Sequence, residues 1–580
     1  MPVRRARSSP VVFAALLLTA TAGCGDSESG SETEAAGTTS DETSAETGSS
    51  AETDGGTDGE SDGETDGEPA GWSFDPVYGN PNLDDDNSEE RQDWLERPFA
   101  EDDDLIELTL PTLPAGDSVA LTLSGDTGSI RVWLDLEMPP ALGSGAPDEA
   151  LETTLTADGG PLTITVEFGD YNAQGALELA HLDAGGAELE AAVVELRSSP
   201  LIMNHHLLPA EKLWIVDTQG CSGTNAAFVS GYKDAIGNRA VVVPGTSYGC
   251  DRWIQDEIEF GTSFDSSGVR LNTTIDSIRD RALDELPEDI WFGPNDSIGT
   301  WGQPGAETTF DSYGNLEATP PITVDGVEYP YGRIYYGQQG DTGIHPETAA
   351  FLAAQEVQAP FEVDSTWLCV GHVDEWISFI PDASSPKGFK MLYADIDAGY
   401  ALLEQQDPAT SIGRYGPDHG YATIGEIIND PGLRAYNEDL RDDHLLPIRA
   451  QMLDELGLTE DDVIDVPSLF EEVQGFCRSP GRALALIPGT VNLVVANFGE
   501  GDDHLFLPDT FLRPDGAGQG EDAVIEWFNN AMPPELQLHF IDDWYSYHMQ
   551  RGEVHCGTNV RRTPEHQDWW NVAAHLLGGN

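Results

Sequence analysis

The spacing of apolar and polar positions changes once along the chain. From about residue 72 to residue 198 the two classes alternate, in runs at 105–110, 118–124, 130–136, 162–168, 176–182 and 189–196 separated by Gly, Asp and Pro clusters. Successive side chains on a strand point to opposite faces, so each run predicts a half-buried strand. Short strands at this interval predict a β-sandwich. From 199 onward, strand-like and helix-like runs interleave. Those at 213–217, 240–244, 366–370, 376–380, 389–393, 483–488, 492–496 and 536–541 predict strands, and those at 347–357, 400–406, 424–428, 434–456 and 522–530 predict helices. The class is α/β.

The N-terminal stretch follows neither rhythm. Arg4, Arg5 and Arg7 precede an apolar run at 11–22 that is too short to span a bilayer and ends in Thr21-Ala22-Gly23-Cys24. This resembles a bacterial lipobox, with Thr21 in place of the usual Leu, and implies cleavage and lipidation at Cys24. Residues 25–70 contain no Lys, no Arg and no large apolar residue. Such text cannot bury enough surface to offset chain entropy, so a disordered, extended tether is expected. The expected organisation is therefore a signal peptide at 1–24, a tether at 25–71, a β-sandwich at 72–198 and an α/β domain at 199–580. The protein would be an exported lipoprotein held to the cell envelope only by its lipid.

Charge narrows the partners. The chain has 27 Lys and Arg against 104 Asp and Glu, a formal charge of -77, which repels nucleic acid and favours cations or basic peptides. Acidic turns at 82–88 (N-L-D-D-D-N-S) and 101–104 are candidate calcium ligands. With Cys24 assigned to lipid, Cys221, Cys250, Cys369, Cys477 and Cys556 remain, an odd number that flags one free thiol. A Cys221–Cys250 bridge is compatible with an oxidising compartment, but spacing does not fix it.

Three segments concentrate chemistry. Arg252-Trp253-Ile254-Gln255-Asp256-Glu257-Ile258-Glu259 packs carboxylates beside a Trp. Gly371-His372-Val373-Asp374-Glu375-Trp376, read as a strand, puts His372 and Asp374 on one face about 7 Å apart. Gly552-Glu553-Val554-His555-Cys556-Gly557 sets a Cys between His and Gly. A thiol nucleophile, a His for proton transfer and two carboxylates to clamp a planar cation suit attack on a guanidinium carbon. The G-x-S-x-G at 245–249, centred on Ser247, lacks the helix start that a serine nucleophile elbow needs.

With the D-S-Y-G-N-L-E at 311–317, these segments resemble the catalytic domain of the protein-arginine deiminase family, from about 199 to the C-terminus. The resemblance implies a five-bladed α/β propeller of the pentein type, preceded by an immunoglobulin-like sandwich. It implies that Cys556 attacks a peptidyl-arginine, Asp256 and Asp374 hold the guanidinium, and His372 moves protons, giving peptidyl-citrulline. Trp253 would line the arginine slot, and Arg279 and Arg281 would bind the substrate backbone. Calcium is implied at two sites. One would use Gln255, Glu259, Glu317 and the carbonyls of Tyr313 and Leu316. The other would use Glu257, Asp276, Ser277 and Asp280, with Asn295 and Asp296 standing where one Asp is expected. Asp280 departs from the family's Asn, and Gln550 from an Arg that touches substrate in some members. The same catalytic set also serves enzymes of free arginine or agmatine and amidinotransferases. A calcium-binding lipoprotein without activity is the non-enzymatic alternative.

Overall fold

The computed structural model describes residues 71–86, 91–95, 104–305, 307–340, 342–473, 477, 481–564 and 568–578. The chain divides into Met1–Glu68 and Pro69–Asn580, and all described residues lie in the second unit. The expected signal peptide, Cys24 and nearly all of the tether fall outside the described residues.

The alternating runs near the start of this unit form two sheets around one core. The first sheet has the order Val77–Gly79, Glu188–Ser198, Gln174–Leu182, Ser118–Gly125, Glu152–Thr156. The second has Ile106–Leu110, Leu162–Phe168, Ile130–Trp133, Leu142–Gly143. Val119, Leu121 and Leu123 of the first meet Ile164, Val166 and Phe168 of the second in a single apolar cluster. These are the inward members of the period-two pattern.

Two of the remaining sheets are two-stranded, and the other five repeat one design. Each of the five has a central strand that pairs antiparallel with one neighbour and parallel with the other. The central strands are Ala210–Asp217, Arg270–Asp276, Ile334–Gln339, Phe389–Asp395 and Asp503–Pro508. Their parallel partners are Ala240–Pro244, Asp296–Thr300, Phe361–Val363, Val463–Pro467 and Gln537–Ile541. A parallel pair needs a crossover, and each of these connections contains helix, such as Ala226–Ile236 or Ala523–Ala531. The antiparallel partners are Thr558–Arg562, Ile258–Phe264, Leu316–Ala318, Ile377–Pro381 and Val494–Asn497. The last unit in sequence thus leads into a strand that completes the first.

Two expectations are corrected. Residues 366–370 are a turn with an isolated bridge at Leu368, because Asp364 Oδ1 accepts from the N–H and hydroxyl of Thr366 and diverts the backbone. Val373–Glu375 is a single 3₁₀ turn rather than strand, closed by Glu375 Oε1 accepting from Gly371 N and His372 N at 3.0 and 2.9 Å. Cysteine pairing is resolved: Cys221–Cys250 and Cys369–Cys477 are bridged, leaving Cys556 as the buried free thiol among the described residues.

Candidate active site

The site is built from equivalent positions of the five units. Two or three residues before each antiparallel strand stand Asp256, Gly314, Asp374, Asn492 and Cys556. These segments converge. Asn492 Nδ2 lies 3.5 Å from Cys556 Sγ, and its Oδ1 accepts from His555 N at 3.1 Å. Asp374 Oδ2 is 3.8 Å from the same sulfur and accepts from His555 Nδ1 at 2.8 Å. A Cβ on Gly314 would stand 2.7 Å from His372 Nδ1 and 2.9 Å from Asp374 Oδ2, so any side chain there would fill the space between them. His372 and Asp374 therefore meet in one space although a turn, not a strand, carries them.

The groups are poised for a cation. Asp374 Oδ1 and His372 Nδ1 are buried with no hydrogen-bond partner among the described residues. His372 Nε2 donates to Thr309 O at 2.8 Å, which aims Nδ1 toward Asp256 Oδ1, 4.0 Å away. Burial, then the charges of Asp374 and Asp256, push the Cys556 thiol well above its ordinary value. A positive ligand beside both carboxylates would reverse the electrostatic part of that shift. A guanidinium already rests on Asp256: Arg281 Nη1 donates to its Oδ2 at 2.6 Å, while Asp251 grips the other edge of the same group at 2.7 Å. Arg279 lies 3.8 Å from Asp256 and donates to Ser312 Oγ. The two arginines expected to bind substrate thus lie on a carboxylate expected to hold it. Trp253 packs edge-on to Tyr547 with ring centroids 5.4 Å apart, and a Cβ on Gly552 would stand 2.4 Å from its ring. A cavity of about 340 Å³, lined by Glu375, Asn492, His548, Gly552 and Glu553 among others, reaches Cys556.

One helical turn, Ile254–Glu257, distributes the acidic run. Successive side chains are about 100° apart, so neighbours in sequence enter different surroundings. Gln255 Nε2 donates to Glu259 Oε2 at 2.8 Å and to Tyr313 O at 3.2 Å. Asp256 faces Arg281, and Glu257 faces Asp276 and Asp284. Both Glu257 oxygens and Asp276 Oδ1 are buried without a hydrogen-bond partner among the described residues. Burial pushes Glu257 up to about 8 and Asp276 well above its ordinary value. Burial, then the nearby Glu317, likewise pushes Glu259 up to about 8, and burial, with the charge of Asp374, pushes Glu317 up to about 8. Unpartnered buried carboxyls fit oxygen-ligated dications. Ser277 Oγ is engaged with Asp311 O at 2.8 Å. Asp280 lies in the turn after Ser277 with φ of 25°. Asn295 and Asp296 are not with this cluster. Asp276 pairs with Thr300, so Asp296 is four residues, about 13 Å, farther along the strand. There Asp296 meets Arg561, and Asn295 N donates to Asp84 Oδ2 at 2.6 Å in the acidic loop. Sequence reading assigned no role to His555, Asn492 or Asp251. The H-C-G motif carried the only signal for the first, and the other two become visible only by contact.

A buried thiol with a His and two carboxylates around one slot, borne on five like α/β units, defines a candidate thiol-dependent guanidinium-modifying centre. Residues 188–571 match the family model "Protein-arginine deiminase (PAD)". The chain is 36% identical over 418 residues to protein-arginine deiminase type-4 of Rattus norvegicus and 33% over 425 residues to that of Homo sapiens, in each case covering 68% of this chain and 60% of the relative. Identity to the type-1 protein of Homo sapiens is 34% over 402 residues, 65% of this chain and 57% of that one. The chain therefore belongs to the protein-arginine deiminase family, and spans about 60% of the length of the relatives it matches.

Proposed function

We propose that this protein hydrolyses peptidyl-arginine to peptidyl-citrulline and ammonia, with Cys556 as nucleophile and calcium as activator. The observation that carries the reading is the guanidinium of Arg281 on Asp256, which displays the recognition chemistry the slot offers. A substrate arginine would replace it, held between Asp256 and Asp374 with its stem along Trp253. Its positive charge offsets the part that Asp374 and Asp256 add to the upward shift that burial imposes on the thiol. The thiol proton passes to His372 as a C–S bond forms to the guanidinium carbon. His372 then protonates the departing nitrogen, the C–N bond breaks and ammonia leaves. Water, deprotonated by His372, adds to the thiouronium carbon. The C–S bond breaks, sulfur recovers a proton, and the ureido group of citrulline remains.

Calcium would supply fixed positive charge to the two carboxyl sets and order the segments bearing Asp256 and Arg281, outside the chemistry itself. Gln255, Glu259 and Glu317 would hold one ion with the Tyr313 and Leu316 carbonyls. Glu257 and Asp276, joined by Asp284, would hold another, and the loop with Asp84 and Asn295 is a further candidate. The five like units support a pentein propeller, and the two-sheet core supports an immunoglobulin-like domain before it. The Cys24 lipobox supports an envelope lipoprotein. Citrulline formation from an N-blocked arginine amide tests the activity, with calcium or chelator, for wild type and Cys556→Ser. Turnover needing both calcium and Cys556 is expected. Turnover of free arginine in preference to peptide would move the protein to the small-molecule branch, and no turnover would leave a binding lipoprotein.

A further inference from the structure

Behind Asp374 lies a second polar group, of different composition from the all-oxygen sets. His206, in the segment after strand Ile202–Met203, has its Nε2 2.8 Å from Glu317 Oε2. His555 Nε2 is 3.8 Å from Glu317 Oε1. Ligand atoms of the three residues all lie within 4.8 Å of one another. Glu317 Oε1 is buried and has no hydrogen-bond partner among the described residues. A cavity of about 10 Å³ is lined by His206, Gln255, Glu259, His555 and Arg562. That is room for about one small particle.

We propose that His206, His555 and Glu317 form a binding site for a transition-metal dication of the zinc class, and that its occupant excludes calcium by taking Glu317. Calcium prefers oxygen donors throughout, whereas imidazole nitrogen suits zinc, cobalt and nickel. Two imidazoles and a carboxylate are a recurrent three-ligand zinc set. At metal–ligand distances of about 2.0–2.1 Å, tetrahedral donors stand roughly 3.3 Å apart. The observed 2.8 and 3.8 Å bracket that spacing, so small side-chain shifts suffice. His555 carries the supporting contact such ligands usually make: its Nδ1 donates to Asp374 Oδ2 at 2.8 Å, leaving Nε2 as the acceptor toward the ion. A metal here would fix the partner of Asp374, 3.8 Å from the thiol. The exclusion of calcium rests on reading Glu317 as a calcium ligand; the binding of the transition metal does not.

The test uses the full chain carrying Cys556→Ser, so that the free thiol cannot bind metal, stripped with chelator. Zinc is titrated by calorimetry, and cobalt(II) by its visible absorption. One-to-one binding is expected, with a cobalt spectrum lacking sulfur charge transfer. His206→Asn should weaken binding at least tenfold, and His206→Gln, which can still donate to Glu317, should do the same while melting in chelator as the parent does. Unchanged affinity in a folded His206→Gln protein, or binding seen only when Cys556 is intact, would overturn the site. Calcium should displace bound cobalt. A cobalt spectrum that persists at calcium concentrations shown by melting to saturate the protein would overturn the competition. A protein that binds cobalt but shows no calcium response refutes the calcium reading and leaves the nitrogen site standing.

Discussion

Glu257 offers a test whose sign depends on conditions. Its side chain is fully buried, neither oxygen has a hydrogen-bond partner among the described residues, and burial pushes its carboxyl from 4.5 up to about 8. Between those values the unfolded chain releases a proton that the folded chain keeps, so stability falls as pH rises through that window. Each unit is about 1.4 kcal/mol, which at pH 7.5 gives an upper bound of about 4 kcal/mol for this residue. Shared effects with Asp276 and Asp284 reduce it to about 2–3 kcal/mol. Glu257→Gln preserves shape and removes the titration. In chelator at pH 7.5 the variant should melt a few degrees above wild type, and at pH 4.5 the two should coincide. With saturating calcium the order reverses, because the wild type gains a bound ion that the variant holds poorly. Differential scanning fluorimetry at the two pH values, with chelator and with calcium, reads all four conditions. A variant less stable than wild type in chelator at pH 7.5, or equally stabilised at both pH values, refutes the argument that an unneutralised carboxyl strains this segment.

Other perturbations bear on the chemistry. Cys556→Ser should abolish citrulline formation while leaving the calcium-induced rise in melting temperature, since the sulfur touches none of the calcium set. Asn492→Ala removes the amide that meets both Cys556 Sγ and His555 N, so kcat should fall about tenfold, near 1.4 kcal/mol, with KM little changed; steady-state kinetics decide. Arg281→Gln frees Asp256, so activity at limiting calcium should rise relative to that at saturating calcium, and an unchanged ratio would show that Arg281 does not compete with substrate.

Much of this architecture is visible in the hydrophobic pattern, because most strands are short and bounded by turn residues. The run at 424–428 became the helix Ile424–Ile428, and 389–393 the core of Phe389–Asp395. The helix expected at 434–456 is continuous in its winding but passes through a π turn at Arg441–Leu445, which hydrophobic spacing does not reveal. At 366–370 local hydrogen bonds from Asp364 outweigh strand propensity. The Cys369–Cys477 bridge joins residues 108 apart, and spacing carries no information about it. The residues proposed for the site stand out in the sequence because three motifs announce them and the family resemblance implies their roles. His206, Asn492 and Asp251 do not, since each is an ordinary polar residue until the fold sets it beside Glu317, Cys556 or Arg281.

The strand Thr558–Arg562 belongs, by pairing, to the first α/β unit, although it follows all five units in sequence. Its hydrogen bonds to Ala210–Asp217 close a contact across some three hundred and fifty residues, and Cys556 stands at its threshold. On the proposed mechanism, a chain emerging from the ribosome therefore carries Asp256, His372 and Asp374, the proposed clamp and proton carrier, long before it carries the proposed nucleophile. No intermediate of synthesis can, on that mechanism, modify an arginine until the segment bearing Cys556 docks. On the same reading, a fragment cleaved before residue 556 would lack the proposed nucleophile and be inert.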